Sequence, residues 1–169
     1  MVHVIPEEEN EFQVINDILI NHSMLLEEEY YNLIAFNSDY NDCYFDAIAI
    51  MLRLETDDVK DLLNEFLLDK SNANTIDRLI IDHHSSRSAI YERLESEGNM
   101  SGFDYDLYNE LILECFNVNV NTYYILQDYV RITTIKTCSP QVDNVVVINL
   151  LLVQDPIGHR ATFFPLRNI

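Results

Sequence analysis

The feature that most constrains this chain is a change of period at Asn117. Upstream of it, apolar residues recur at helical spacing. Glu11 to His22 places Phe12, Ile15, Ile18 and Leu19 on one side. Thr56 reads as the cap of a helix carrying Val59, Leu62, Leu63, Phe66 and Leu67 at i, i+3, i+4, i+7 and i+8. Between the two, Cys43 to Leu54 is apolar nearly all round, which predicts a central buried helix. Helical patterns also cover about Ser86 to Glu97, ended by Gly98, and about Tyr105 to Phe116. From Asn117 onward the residues are β-branched and aromatic. Val118 to Leu126, Tyr129 to Thr137, Val145 to Val153 and Ala161 to Pro165 read as strands, separated by turn signals at Ser139-Pro140 and Asp155-Pro156-Ile157-Gly158. Tyr31 to Phe36 reads as an extra strand leading into the loop before Cys43. The expected class is α+β, with helices packed around a small, meandering and mainly antiparallel C-terminal sheet.

No repeat, low-complexity tract or linker interrupts the chain, so residues 1–169 read as one domain, long enough to bury roughly two-thirds of its unfolded surface. With 10 Lys+Arg against 29 Asp+Glu the formal charge is −19. That balance disfavours nucleic acid and anionic membranes as partners and favours a basic surface. A hydrophobic content of 48% separates the chain from acidic disordered tails, which lack the apolar residues that offset ordering entropy. Cys43, Cys115 and Cys138 are odd in number and show no C-x-x-C spacing. This argues against a disulfide framework and a cysteine-ligated zinc, and points to a reducing, cytoplasmic compartment. The N-terminus lacks the basic and long apolar regions of a signal peptide, and charges break every apolar run short of the ~20 residues a membrane span needs.

Cys43 follows the polar loop Asn37-Ser38-Asp39-Tyr40-Asn41-Asp42 and opens the most apolar helical segment. A thiol at a helix N-terminus feels the macrodipole and unpaired backbone N–H groups, which favour thiolate, and those N–H groups can also donate to a developing oxyanion. Asn41 tolerates the positive φ that a tight turn beneath an oxyanion hole demands. The same position also suits a small core residue. His159 lies far downstream, at the end of the strand-turn-strand unit that begins at Val145. An early helix-borne Cys and a late sheet-borne His are the expected components of a Cys–His pair, in which imidazole stabilises thiolate and then protonates the leaving amine.

Asn41-Asp42-Cys43-Tyr44-Phe45-Asp46-Ala47-Ile48 resembles the nucleophile segment of the ovarian-tumour (OTU) family of cysteine proteases, whose pattern is Asp-Gly-x-Cys-aliphatic/aromatic-Phe-x-Ala. The likeness continues through Ile90 to Gly98, the loop Met100-Ser101-Gly102-Phe103 and the helix running into Phe116-Asn117-Val118-Asn119-Val120. It ends with Ile148-Asn149-Leu150, a turn, His159 and a short strand. It spans about Tyr31 to Leu166, and its order and spacing also suit the compact OTU domains of some viral polyproteins.

The resemblance implies an OTU-like, papain-type fold and a catalytic Cys43–His159 pair. It further implies no cofactor and no metal, and cleavage of isopeptide bonds after the Gly-Gly of ubiquitin or a ubiquitin-like modifier, in the host cytoplasm if the protein is viral. The oxyanion would be held by backbone N–H groups of Tyr40, Asn41, Asp42 and Cys43. This sequence departs from the family in having Tyr40-Asn41 in place of Asp-Gly, Arg160 after the histidine and Ala161 two residues beyond it. The group that orients His159 is therefore sought at Asp155 on the same turn, at Asp39 in the nucleophile loop, or at Asn149. Asp39, Asp42 and Asp46 crowd the thiol, and His159 would have to counter them.

Two other readings stand beside this one. An OTU-like module without activity would bind ubiquitin or another basic partner. Leu79-Ile80-Ile81-Asp82-His83-His84 resembles the strand-plus-Asp-His-His motif of the DHH phosphoesterases, which bind metal pairs. The chain is short for that two-domain architecture and lacks the upstream carboxylate segments two metals need, so a surface helix capped or followed by His83 and His84 is the preferred reading of this stretch. Glu7-Glu8-Glu9, Glu27-Glu28-Glu29 and Glu55 to Asp58 read as solvated surface. In a protease acting on a flexible tail, part of this acidity would steer the arginines of Leu-Arg-Leu-Arg-Gly-Gly toward Cys43.

Overall fold

The long strands all follow the last helix, as the change of period predicts, and among the described residues only two short strands precede it. The computed structural model describes residues 3–4, 11–35, 43–95, 104–127, 131–138, 145–154 and 161–169. Within them lie β1 (His3–Val4), α1 (Glu11–Leu19), β2 (Met24–Leu26), α2 (Glu28–Ala35), α3 (Cys43–Leu52), α4 (Thr56–Leu68), α5 (Ala73–Asp82), α6 (Arg87–Glu95) and α7 (Tyr105–Phe116). These are followed by β3 (Val118–Gln127), β4 (Arg131–Cys138), β5 (Val146–Gln154) and β6 (Ala161–Asn168). Asn117 makes the switch itself. It adopts φ 56° and ψ 43° beyond the last turn of α7, and its N–H donates to the Leu113 carbonyl at 2.9 Å. Asparagine tolerates this left-handed conformation, which ends the helix and turns the chain into β3.

Among the described residues the strand order is β1-β4-β3-β5-β6-β2. The β3/β4 and β5/β6 pairs are antiparallel, as are the short β1 and β2 additions at the two edges. The central β3/β5 pair is parallel, from Val118 beside Val146 to Leu126 beside Gln154. The sheet is thus mainly antiparallel but not a meander. β4 ends opposite Thr122 and β5 begins opposite Val118, so both lie toward the end of the sheet where β3 starts, and the chain steps across β3 there.

Successive residues of β6 face opposite sides of the sheet. Phe164 meets Tyr31 of α2 at 5.2 Å between ring centroids, whereas Phe163 meets Tyr44 of α3 at 5.1 Å. α2 and α3 therefore pack on opposite faces of the same strand. Ile15, Tyr44, Phe45, Ile48, Val59, Ile76, Ile90, Ile112, Val120, Ile125, Leu150 and Leu151 are among the residues that fill the core. Each large side chain taken from water contributes on the order of 1.5–3 kcal/mol. No helix among the described residues is long and apolar enough to cross a membrane.

Two local expectations are corrected. Tyr31 to Phe36 does not form a strand: 28–35 is helix, and Phe36 lies outside the described residues. The acidic first turn, Glu28 and Glu29, complements the helix macrodipole and offsets a run whose period alone fits either form. Thr56 is the first residue of α4, and Glu55 is its cap. The Asp58 carboxylate accepts from the Glu55 N–H at 3.3 Å, and the Thr56 hydroxyl donates instead to Asp46. α5 is the surface helix expected before His83, whereas β1 and β2 had no counterpart among the elements read from the sequence.

Candidate active site

Cys43 is the first residue of α3 and is 3% exposed. Burial runs unbroken from Cys43 to Ala49, in keeping with a segment that is apolar on every side. The opening N–H groups of a helix have no partner within it, so this end offers hydrogen-bond donors and a positive potential to a thiolate or an oxyanion.

The start of α3 is held from both faces of the sheet. From α2, the buried Tyr30 hydroxyl donates to the Cys43 carbonyl at 3.4 Å. From the other side, the Tyr44 hydroxyl donates to the Asn109 carboxamide oxygen of α7 at 2.7 Å, and the Asn109 NH2 donates to the Thr122 hydroxyl of β3 at 3.2 Å. Tyr44 also stacks edge-on with Phe45, Tyr108 and Phe163. Burial, reinforced by Tyr108 and Asp106 nearby, holds the Tyr44 phenol well above its ordinary pKa, so it stays a neutral donor. Burial likewise pushes Tyr108 up to about 12.

Asp46, expected to crowd the thiol, is buried one turn along α3 with a carboxylate oxygen accepting from Thr56, which links α3 to α4. The Lys60 ammonium of α4 lies 5.3 Å over the Phe45 ring. Cys115, half-buried on α7, differs from Cys43 in placement. It sits at the far end of its helix, where burial and then Glu65 push the thiol up to about 11. Both cysteines are free thiols.

α3 runs beside β6 in the same sense. Its first turn meets Phe163 near the beginning of β6, while Ile50 and Met51 near its end share a cavity of about 480 Å³ with Pro165, Leu166 and Arg167. β5 ends at Gln154 directly opposite Ala161, where β6 begins. Cys43 therefore opens its helix at the end of the sheet where the chain leaves β5 and returns in β6. Asp155 and His159 belong to the intervening 155–160, and Asp39, Tyr40, Asn41 and Asp42 to 36–42. All six lie outside the described residues.

Asn149 is placed elsewhere. It accepts from the Asn121 NH2 at 3.0 Å and lines the cavity at the opposite end of α3. At ~3.3 Å per residue it stands about 17 Å along β5 from Gln154. It is not positioned to orient a group that follows β5, because its side chain is committed to β3 at the strand's early part. The sequence reading missed Tyr30, Asn109, Thr122 and Phe163. Their partners are distant in the chain, Asn109 by 65 residues from Tyr44, and no local spacing signals them.

The Asp82-His83-His84 motif does not follow a strand. Leu79 to Asp82 is the last turn of α5 and His83 is its C-cap. The His83 Nε2 pairs with Glu110, and its Nδ1 stands 3.6 Å from Asp104, so the ring joins the end of α5 to the start of α7. His84 takes φ 52° as the chain turns away. A helix end pinned in this way is not the strand-end metal platform that the DHH likeness requires.

No family model and no curated protein matches this chain. Among solved structures, the OTU domain of OTUD1 superposes with a TM-score of 0.58 at 11% identity, over 94% of this chain and 95% of that chain. The viral OTU domain protease from Dera Ghazi Khan virus gives a TM-score of 0.49 at 17% identity, over 76% of each chain. The OTUD1 superposition carries the assignment: the fold of this protein is OTU-like, in agreement with the resemblance in its sequence.

Proposed function

We propose that this protein is a cysteine-type deubiquitinase that hydrolyses the bond after the C-terminal Gly-Gly of ubiquitin or a ubiquitin-like modifier, with Cys43 as nucleophile and His159 as general base and acid. The observation that carries the reading is that α3 begins, with Cys43 as its first residue, at the sheet end bounded by Gln154 of β5 and Ala161 of β6. The segment bearing His159 connects those two residues. Thiolate would attack the Gly carbonyl, and backbone N–H groups of Cys43 and the 40–42 stretch would hold the oxyanion. The imidazolium would protonate the leaving amine, and water would then hydrolyse the thioester. Asp155 is the first choice to orient the imidazole and Asp39 the second. Free thiols at Cys43 and Cys115 suit a reducing, cytoplasmic setting.

Incubation with ubiquitin bearing a C-terminal electrophile tests this. The expected result is a covalent adduct on Cys43 that Cys43→Ala abolishes and His159→Ala slows. Ubiquitin binding without an adduct would replace the protease by a binding module on the same fold. An adduct on Cys115 or Cys138 would overturn the site.

A further inference from the structure

We propose that Tyr30 is a positioning residue for the Cys43 thiol. α2 and α3 lie on opposite faces of β6, yet the Tyr30 hydroxyl donates to the Cys43 carbonyl at 3.4 Å. β2 pairs with β6 only at Leu166, Arg167 and Asn168, so this contact ties the two faces together alongside the earlier part of the strand. The Cys43 carbonyl belongs to the peptide plane that carries the Tyr44 N–H. The next side chain along is anchored by its own hydroxyl, through Asn109 to Thr122. Tyr30 therefore restrains one side of the first peptide of α3 and the Tyr44 chain restrains the other. Rotation of that peptide would swing the Tyr44 N–H and change ψ at Cys43, which sets how the Cα–Cβ bond of Cys43 stands relative to the helix start. Such donors are effective only when held in place before charge develops. The Tyr30 ring is buried, and part of it lines the cavity shared by Ile50, Met51 and Leu166. Removal of the hydroxyl alone would leave this packing intact.

The inference rests on Cys43 being the reactive thiol, and its test separates that from the choice of substrate. In the full chain, Cys43 alkylation by iodoacetamide is followed across pH by mass spectrometry of the Cys43 peptide, for the parent, Tyr30→Phe and Tyr30→4-aminophenylalanine, which restores a donor. Ubiquitin-ester hydrolysis gives kcat and KM for the same three proteins. Loss of one hydrogen bond to the nucleophile's peptide predicts a fall of about threefold to tenfold in alkylation rate and in kcat for Tyr30→Phe. KM and the thermal midpoint should be little changed, with recovery in the 4-aminophenylalanine protein. If the parent lacks ubiquitin activity while Cys43 alkylation still follows the donor, the positioning role stands and the deubiquitinase reading falls. Equal alkylation rates in parent and Tyr30→Phe, a change in KM alone, or no recovery with the restored donor would overturn the proposal.

Discussion

Tyr44 and Phe163 meet edge to face, with ring centroids 5.1 Å apart and planes at 80°, and this contact fixes the residue after Cys43 against β6, the strand between β5 and β2. Both rings are at most 1% exposed. Phe163→Ala should therefore lose about 3–5 kcal/mol of unfolding free energy, combining lost transfer energy with the cavity left behind. Urea denaturation would show the midpoint shift, and an unchanged midpoint would place the ring outside the core.

The Tyr44–Asn109–Thr122 chain is buried at every member. Tyr44→Phe leaves the Asn109 carboxamide oxygen without its donor, at an expected cost of about 1–3 kcal/mol. Combined with Asn109→Leu the loss should be smaller than the sum of the two single losses. A double-mutant cycle would return a coupling of about 0.5–3 kcal/mol. Strict additivity would mean that the two side chains act independently.

Cys115, with its thiol pushed up to about 11, is protonated at neutral pH. Its alkylation by iodoacetamide should climb about tenfold per pH unit from pH 8 to 10 without reaching a plateau, because only thiolate reacts. Peptide mass spectrometry reads this directly. A plateau near pH 8 would contradict the effect of burial.

Asp69 accepts from the Ser71 N–H at 2.9 Å and from the Ser71 hydroxyl at 2.8 Å, and these bonds hold its carboxyl below the ordinary value of 3.8. A depressed pKa contributes stability that is present above pH 3.8 and is lost as pH falls through the folded value. Asp69→Ala should thus be slightly less stable than the parent at neutral pH, and the gap should close in acid. A gap that widens on acidification would reverse the assignment.

Under the proposed function, the net charge of −19 should steer a ubiquitin-like tail carrying two arginines. The second-order rate of adduct formation with the ubiquitin probe is expected to fall as salt is raised from about 0.01 M to 0.5 M, while the unimolecular step stays level. Salt-independent association would reduce the charge to a role in solubility.

Much of this architecture was legible locally. The bounds of α7 and the switch at Asn117 follow from the loss of helical period. The four C-terminal strands follow from β-branched runs between turns, and Cys43 as a helix opening follows from a polar loop meeting an apolar segment. Other features were not legible. In α2, Tyr-Tyr-Asn-Leu-Ile-Ala suits either strand or helix, and packing of Tyr31 on Phe164 decides between them. In α5, the helix expected before His83 is present, but the pairing of that histidine with Glu110 of α7 joins groups 27 residues apart that no local spacing relates.

The sequence by itself determined most of the helical segments, the four C-terminal strands, and that a cysteine opens the most apolar helix, because each depends on the spacing of side chains a few residues apart. The tertiary structure alone decided that β5 lies parallel to β3, that α2 and α3 share β6 from opposite faces, and that Asn149 turns toward Asn121 rather than toward the end of β5. A strand's period carries neither its direction nor its neighbour. Both are set by which buried surfaces and hydrogen-bonding edges, distant in the chain, satisfy one another when the core closes.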